Sequence, residues 1–271
     1  MTAAPIPPLM DAPELLRATA VTKNYGPSIV LRGLDMRVAR GEVVALVGDN
    51  GAGKSTFIKI VSGFHPPTSG TLTWAGRELT MTSPTEARAL GIETVYQDLA
   101  LINDLTVAQN MYLGREPIRK VLGLFPLTDA KAMRIKTREF LDQVGIRLGS
   151  VDSLVRDLSG GQRQSIAVAR AMQSQPKLLI MDEPLAALGV REGAHVLDLV
   201  QEIRRRREVS IILIGHNSAL IFEVCDRINF LFEGRIVLDI ATSEITEEEL
   251  IHMVKSGQGA VGAGPSAAAS S

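Results

Sequence analysis

Val43-Val44-Ala45-Leu46-Val47 runs directly into Gly48-Asp49-Asn50-Gly51-Ala52-Gly53-Lys54-Ser55, and this junction decides the fold. Five consecutive apolar residues suit a strand covered on both faces. The glycines that follow let backbone N–H groups curl around phosphate oxygens. A helix predicted over residues 56–61, opening at Thr56, would add the positive end of its dipole. In the spacing G-x-x-x-x-G-K-S, Lys54 is placed to reach β- and γ-phosphates and the Ser55 hydroxyl to ligate Mg²⁺. A Gly-rich turn with a chance lysine is the bland alternative. The strand before it and the helical pattern after it are the context that a phosphate loop requires.

Two further stretches point to the same chemistry. Leu178-Leu179-Ile180-Met181 is a second apolar run, and it ends in Asp182-Glu183 with Pro184 stopping the strand. Asp182 is placed to hold Mg²⁺ through water. Glu183, a carboxylate beside the metal, is the candidate to orient or deprotonate an attacking water. Upstream, Leu158-Ser159-Gly160-Gly161-Gln162 opens a helix-like stretch. A hydroxyl and free N–H groups at a helix start make a second anion site there.

Composition narrows the classes. The chain has 271 residues and a formal net charge of −1, which gives no reason to expect a nucleic-acid surface. Its single cysteine, Cys225, allows no internal disulfide and reads as a small buried apolar residue. No apolar run approaches the roughly 20 residues that span a bilayer, and the first residues lack the basic-then-apolar order of a signal peptide. Work at a membrane would therefore go through a partner.

Along the chain, β-type apolar runs alternate with helical patterns, as in an α/β fold. The clearest strands are predicted at Val43–Val47, Leu178–Asp182, Ser210–Ile214 and residues 228–232. Residues 1–13 are expected to be disordered and residues 256–271 to form a flexible Gly/Ala/Ser tail. From about residue 98 the pattern becomes helical. Thr106 is expected to cap a helix through Leu113, and Thr128 another through Val144, with Met133, Phe140, Leu141 and Val144 on one face. Val196, Leu197, Val200 and Ile203 form an amphipathic stripe, and residues 204–207, all arginine, read as a solvated helix end favoured by the dipole. Thr246-Glu247-Glu248-Glu249 is a capping box that predicts a short final helix.

Together these residues resemble the ATP-binding cassette (ABC) ATPases, over nearly the whole chain, about residues 15–254. Leu158-Ser159-Gly160-Gly161-Gln162 matches the family's signature, which is far more specific than the phosphate loop. By the same resemblance, Tyr25 corresponds to the aromatic residue that stacks on adenine. Gln97 corresponds to the glutamine that senses Mg²⁺ and the attacking water near the membrane subunit, and His216 to the switch histidine that contacts the γ-phosphate. His65, His195 and His252 match nothing. The resemblance implies a P-loop NTPase fold of α/β class: a RecA-like sheet core, an antiparallel β subdomain, and a helical signature-motif subdomain at about residues 98–174, within an ATPase domain at 14–255. It also implies a dimer, because the signature of one copy closes over the ATP held by the phosphate loop of another.

A narrower resemblance lies in Gly91-Ile92-Glu93-Thr94-Val95-Tyr96-Gln97, Asn110-Met111-Tyr112-Leu113-Gly114-Arg115-Glu116 and Ala186-Ala187-Leu188-Gly189-Val190. These look like the ATPases of bacterial monosaccharide importers of the ribose, xylose and fructose type, in a short single-cassette form. Leu185 replaces the usual threonine, and Gly189 stands where most cassettes have an aspartate that links the two ATP sites. The implied partners are a second cassette, transmembrane permease subunits and, indirectly, an extracytoplasmic sugar-binding protein. The implied location is the cytoplasmic face of the bacterial inner membrane. A non-transport cassette acting as an ATP-switched assembly module, or an exporter ATPase, is the competing expectation. The long coiled-coil insertions or linked cassettes of the former are missing, and the sugar-type segments argue against the latter.

Overall fold

A computed structural model describes residues 12–121, 125–186, 188–215 and 217–256. The expected disorder of residues 1–13 falls almost wholly outside them, as does the tail beyond Ser256. Of that N-terminal stretch, Ala12 and Pro13 are described, and the Pro13 carbonyl accepts a hydrogen bond from Arg40 N at 2.9 Å.

The chain begins with two long strands, β1 (Glu14–Tyr25) and β2 (Ser28–Ala39), paired antiparallel. Next come β3 (Val43–Val47) and α1 (Lys54–Val61), which starts two residues earlier than its sequence pattern suggests. Strands β4 (Ser69–Trp74) and β5 (Arg77–Leu79) complete a four-stranded antiparallel sheet in the order β2-β1-β4-β5. After α2 (Pro84–Leu90) and β6 (Ile92–Val95), the chain builds α3 (Val107–Met111), a hairpin of β7 (Ile118–Val121) and β8 (Phe125–Thr128), α4 (Ala130–Gln143) and α5 (Gly160–Met172). It returns to the main sheet with β9 (Leu178–Asp182), α6 (Val190–Arg206), β10 (Ser210–Ile214), α7 (Ser218–Val224), β11 (Arg227–Phe232), β12 (Arg235–Ala241) and α8 (Glu247–Ser256).

The main sheet has the order β12-β11-β3-β10-β9-β6, parallel except for β12. Its central strands are apolar throughout because both faces are covered, and the strand period of two divides their side chains between two cores. Val43, Ala45 and Val47 join Leu179, Met181, Ile211 and Leu213 in the core under α5, α6 and α7. Val44 and Leu46 join Leu178, Ile180, Ile212 and Ile214 in the core under α1 and the antiparallel sheet.

Three local expectations change. The N-cap of α4 is Asp129, whose Oδ1 accepts from Ala132 N at 2.9 Å. Thr128 is not free to cap, because it pairs with Ile118 at the end of β8. The hairpin itself interrupts a stretch expected to be helical. Finally, the arginines that close α6 are not all solvated. Arg204 Nη2 donates to Asp226 Oδ1 at 2.9 Å, and Arg207 Nη1 to Asp226 Oδ2 at 2.5 Å. These bonds hold the Asp226 carboxyl below the usual carboxylate range against the opposing effect of burial. Cys225 is buried as expected, and burial pushes its thiol pKa far up. The capping box at Thr246 forms, with Thr246 N donating to Glu249 Oε2 at 2.8 Å and Glu249 N to Thr246 Oγ1 at 3.3 Å.

Candidate functional site

In open parallel sheets, ligands bind beyond the carboxyl ends of the strands. Register brings the candidate residues to that one rim. Ile214 of β10 stands beside Leu46 of β3 on one side and Asp182 of β9 on the other, and Met181 stands beside Val95 of β6. The loop from Gly48 to Gly53 leaves β3 at this end, Asp182 ends β9 here with Glu183 directly after it, and Gln97 follows β6 by two residues. His216, which follows β10, lies outside the described residues.

The loop after β3 is shaped by glycines. Gly48 has φ 153°, and a side chain there would collide with the Leu231 carbonyl oxygen. Gly53 has φ 112°, and an added Cβ would come within 2.7 Å of Leu31 Cδ2. At Gly48 the clash is with backbone, and at Gly53 the positive φ itself favours glycine. A third, Gly51, faces open space. Asp49 and Asn50 are exposed at the turn, Ala52 is buried beneath it, and Ser55 and Thr56 lie in the first turn of α1.

Lys54 is the buried cation of the site, 8% exposed. Its Nζ donates to the carbonyls of Gly48 at 2.6 Å and Asp49 at 2.9 Å. Burial lowers its pKa, while Glu183, Asp182 and Asp49 favour its charged form. The complementary effect appears on Asp182, whose pKa is raised by burial and by the neighbouring Glu183 charge and lowered by Lys54. A desolvated lysine near two carboxylates, at the start of a helix, suits a phosphate chain with its metal. The donor set, one strand-end carboxylate and one helix-start hydroxyl, fits Mg²⁺, which usually takes few protein ligands and completes its shell with substrate phosphate and water. Among the described residues no group of three or more His, Cys, Asp or Glu forms an all-protein cage.

Glu183 adopts φ 50°, a left-handed conformation that costs a non-glycine residue about 1–3 kcal/mol. It is held there by Glu183 N donating to Ile214 O at 2.9 Å and Ala186 N donating to Glu183 O at 3.0 Å. The strain turns the chain sharply off β9 directly after Asp182.

Tyr25 ends β1 at the tight turn into β2 and is 43% exposed. His65 meets its ring edge-on with centroids 5.9 Å apart, and Lys23 Nζ lies 5.4 Å from the ring centre. The sequence offered no sign of that histidine, which is 40 residues away along the chain. Ser159 caps α5: its hydroxyl accepts from Gln162 N at 3.3 Å, and Gln162 Oε1 accepts from Ser159 N at 3.0 Å. Gly160 and Gly161 lie against the start of α6. A Cβ on Gly161 would approach Glu192 Cβ at 2.8 Å, so the close packing of α5 on α6 needs glycine. A cleft of about 610 Å³ opens beside this helix start, between Ser159 and Gln162 on one wall and His195, Asp198 and Glu202 on the other. It contains none of the phosphate-loop residues.

The chain is similar to known proteins over most of its length. The chain is 42% identical over 243 residues to the xylose/arabinose import ATP-binding protein XylG of Sulfolobus acidocaldarius, covering 90% of this chain and 94% of that one. It is 44% identical over 246 residues to the fructose import ATP-binding protein FrcA of Rhizobium meliloti, covering 89% and 94%. The ribose import ATP-binding protein RbsA 1 of Rubrobacter xylanophilus is 39% identical over 240 residues, but only 46% of its length is covered. Among solved structures, a Clostridium perfringens component of an ABC transporter complex aligns with TM-score 0.73 and 27% identity over 90% of this chain and 95% of that one. A nucleotide-free cassette of an ABC transporter aligns with TM-score 0.75 at 24% identity, over 89% and 95%, which speaks for the fold. The family model described as ABC transporter matches residues 31–186, more than half of the sequence. By the family model and by these relatives, this chain is an ATPase and a member of the ABC transporter family.

Proposed function

We propose that this chain is the ATP-hydrolysing subunit that powers a monosaccharide importer. The observation that carries the reading is the match over nearly full length to two relatives named as sugar import ATP-binding proteins. In this reading the chain sits at the cytoplasmic face of a bacterial cell membrane, bound to permease subunits. No helix among the described residues is long and apolar enough to cross a membrane.

The residues divide the work as follows. Tyr25 offers its exposed face to adenine. The loop from Gly48 to Gly53 wraps the phosphates with backbone N–H groups, and Lys54 turns from its own loop carbonyls toward the β- and γ-phosphates. Ser55, Asp182 and Gln97 would hold Mg²⁺, which neutralises charge on the transferred phosphoryl group when bound. Glu183 orients the attacking water and accepts its proton, and His216 contacts the γ-phosphate. Ser159, Gly160, Gly161 and Gln162 complete the site of a second copy, so two ATP molecules lie between two cassettes. Support for that face comes from Val190, a large apolar residue 94% exposed at the start of α6, next to Gly189. Closing the dimer on ATP and reopening it after hydrolysis supplies the motion that the permease follows.

The test is the Glu183→Gln variant. It is expected to bind ATP, stop turnover and accumulate as an ATP-bound dimer of doubled mass in size-exclusion chromatography with light scattering. Lys54→Ala should instead weaken ATP binding, by about 1.5–3 kcal/mol for a lost bond to a charged group. Co-reconstitution with the permease and its binding protein should show hydrolysis that rises when a monosaccharide is supplied. Wild-type turnover in Glu183→Gln removes it as the base, and hydrolysis indifferent to any sugar removes the importer reading.

A further inference from the structure

The hairpin of β7 and β8 forms a two-stranded sheet of its own, hydrogen-bonded to neither larger sheet. Such a ribbon is marginal in water unless something covers it. Its side chains find no core: Ile118 is 68% exposed, Phe125 61% and Leu127 50%, and Arg119 and Lys120 are exposed between them. The strand period places these groups on both faces. Ile118 and Lys120 lie on one side, while Arg119, opposite Leu127, and Phe125 lie on the other.

Charge sets this region apart. Residues 115–138 hold seven Arg or Lys and two carboxylates, a net +5 in a chain whose total is −1. Among the described residues, Arg119 and Lys120 make no ion pair, so their charge faces outward. The base of the ribbon is anchored where Asp129 N donates to Pro117 O at 2.7 Å, directly before α4. The ribbon is therefore fixed at its root, and Ile118, Arg119, Lys120, Phe125 and Leu127 are bare.

We infer that this hairpin is a membrane-surface finger that docks on an anionic lipid headgroup layer, its cations on the headgroups and its apolar side chains in the interface. A folded protein partner on one face would still leave either Ile118, or Phe125 with Leu127, bare on the other. An interfacial lipid layer surrounds both faces, and it rewards this mixture of Lys and Arg with Phe, Leu and Ile. The inference rests on the importer reading only for the nearness of a bilayer.

Flotation of the purified cassette with phosphatidylcholine vesicles, with and without phosphatidylglycerol, tests it without any permease. The wild type should float with the anionic vesicles only, and high salt should release it. Neutralising both cations (Arg119→Gln with Lys120→Gln) should lower partitioning about 30-fold, from roughly 1 kcal/mol for each cation near an anionic surface. Phe125→Ser with Leu127→Ser should also abolish flotation. Titration of ATP against each variant should match the wild type, which separates loss of docking from loss of fold or of the nucleotide site. Failure of the wild type to float, equal flotation on neutral vesicles, or variants that float as the wild type does would overturn the inference. Loss of permease assembly in detergent by these variants, with no vesicle binding by the wild type, would assign the hairpin to a protein partner and overturn it too.

Discussion

Arg170 on α5 donates from Nη2 to the Leu99 carbonyl at 2.8 Å, and from Nη1 to the neighbouring Ala100 carbonyl at 2.7 Å. One side chain on the helix that begins with the signature thus clamps the segment just past Gln97. Asn110 secures its continuation, accepting from Ile102 N at 2.8 Å and donating to Ile102 O at 3.0 Å. Through Arg170, α5 is thus tied directly to the segment that follows Gln97. Arg170→Met should cost about 1.5–3 kcal/mol of stability. It should also raise amide exchange over residues 97–102 while ATP affinity stays unchanged. Arg170→Lys should recover the charge but not the two-carbonyl fork, and so restore protection only in part. Unchanged exchange in Arg170→Met would show that the segment is held by other contacts.

Much of this architecture was legible in sequence. Strands β3, β9 and β10 have the predicted bounds because strands buried on both faces are continuous apolar runs, and Pro184 and Gly48 mark their ends. The phosphate loop, Asp182, Glu183 and the signature are each contiguous, so their chemistry survives being read one segment at a time. The β7–β8 hairpin was not legible: Arg119, Lys120 and Pro126 break any alternation, and no burial imposes one. The pairing of Arg204 and Arg207 with Asp226 was equally hidden, because a charge run reads as solvated until the fold brings its partner from about 20 residues away. His65 escaped for the same reason, since its contact with Tyr25 exists only in three dimensions.

Asp182 links the site to stability. Its folded-state pKa is raised, by burial first and the Glu183 charge second. The unfolded chain therefore loses this proton at lower pH than the native state does. Above the raised value the ionised carboxylate destabilises the fold, and this penalty disappears as pH falls through the folded pKa toward the ordinary carboxylate range. Asp182→Asn should thus raise the Tm of the nucleotide-free protein at neutral pH, and the gain should shrink on acidification through that window. The same variant should lose Mg²⁺-dependent hydrolysis. Thermal melts from pH 4 to 8 read the effect; a Tm gain that is flat with pH, or a loss at neutral pH, would contradict the assignment.

Tyr25 and His65 predict a graded effect on ATP affinity. Tyr25→Ala removes the stacking face and should weaken binding by about 1–3 kcal/mol, the range for a base on an aromatic ring. Because any purine can stack, ATP and GTP should lose affinity alike. His65→Ala leaves the face intact but removes the edge contact that steadies the ring, so its effect should be smaller and in the same direction. Isothermal titration of both nucleotides decides this. An unchanged Kd in Tyr25→Ala would place adenine elsewhere.

Gly189 is the departure from the wider family whose meaning the fold sharpens. Its φ of −70° and ψ of 162° are open to any residue, and a Cβ there would meet nothing within 4 Å. Neither backbone freedom nor crowding within the chain requires glycine, so in the proposed dimer the weight falls on what a second copy would bring against it. Gly189 is the N-cap of α6 and supplies no side-chain cap. Aspartate caps well, and exchanging glycine for a good cap is worth a few tenths of a kcal/mol. Gly189→Asp should therefore fold and melt slightly higher as a monomer. Its ATP-bound dimer is where the two explanations part. If the position only needs a polar link between sites, the Hill coefficient for ATP should rise at full maximal rate. If the partner approaches Gly189 closely, the Glu183→Gln background should no longer trap a dimer while monomeric ATP affinity stays normal. The exposed Val190 beside it favours close approach, and a variant that dimerises and turns over normally would refute that.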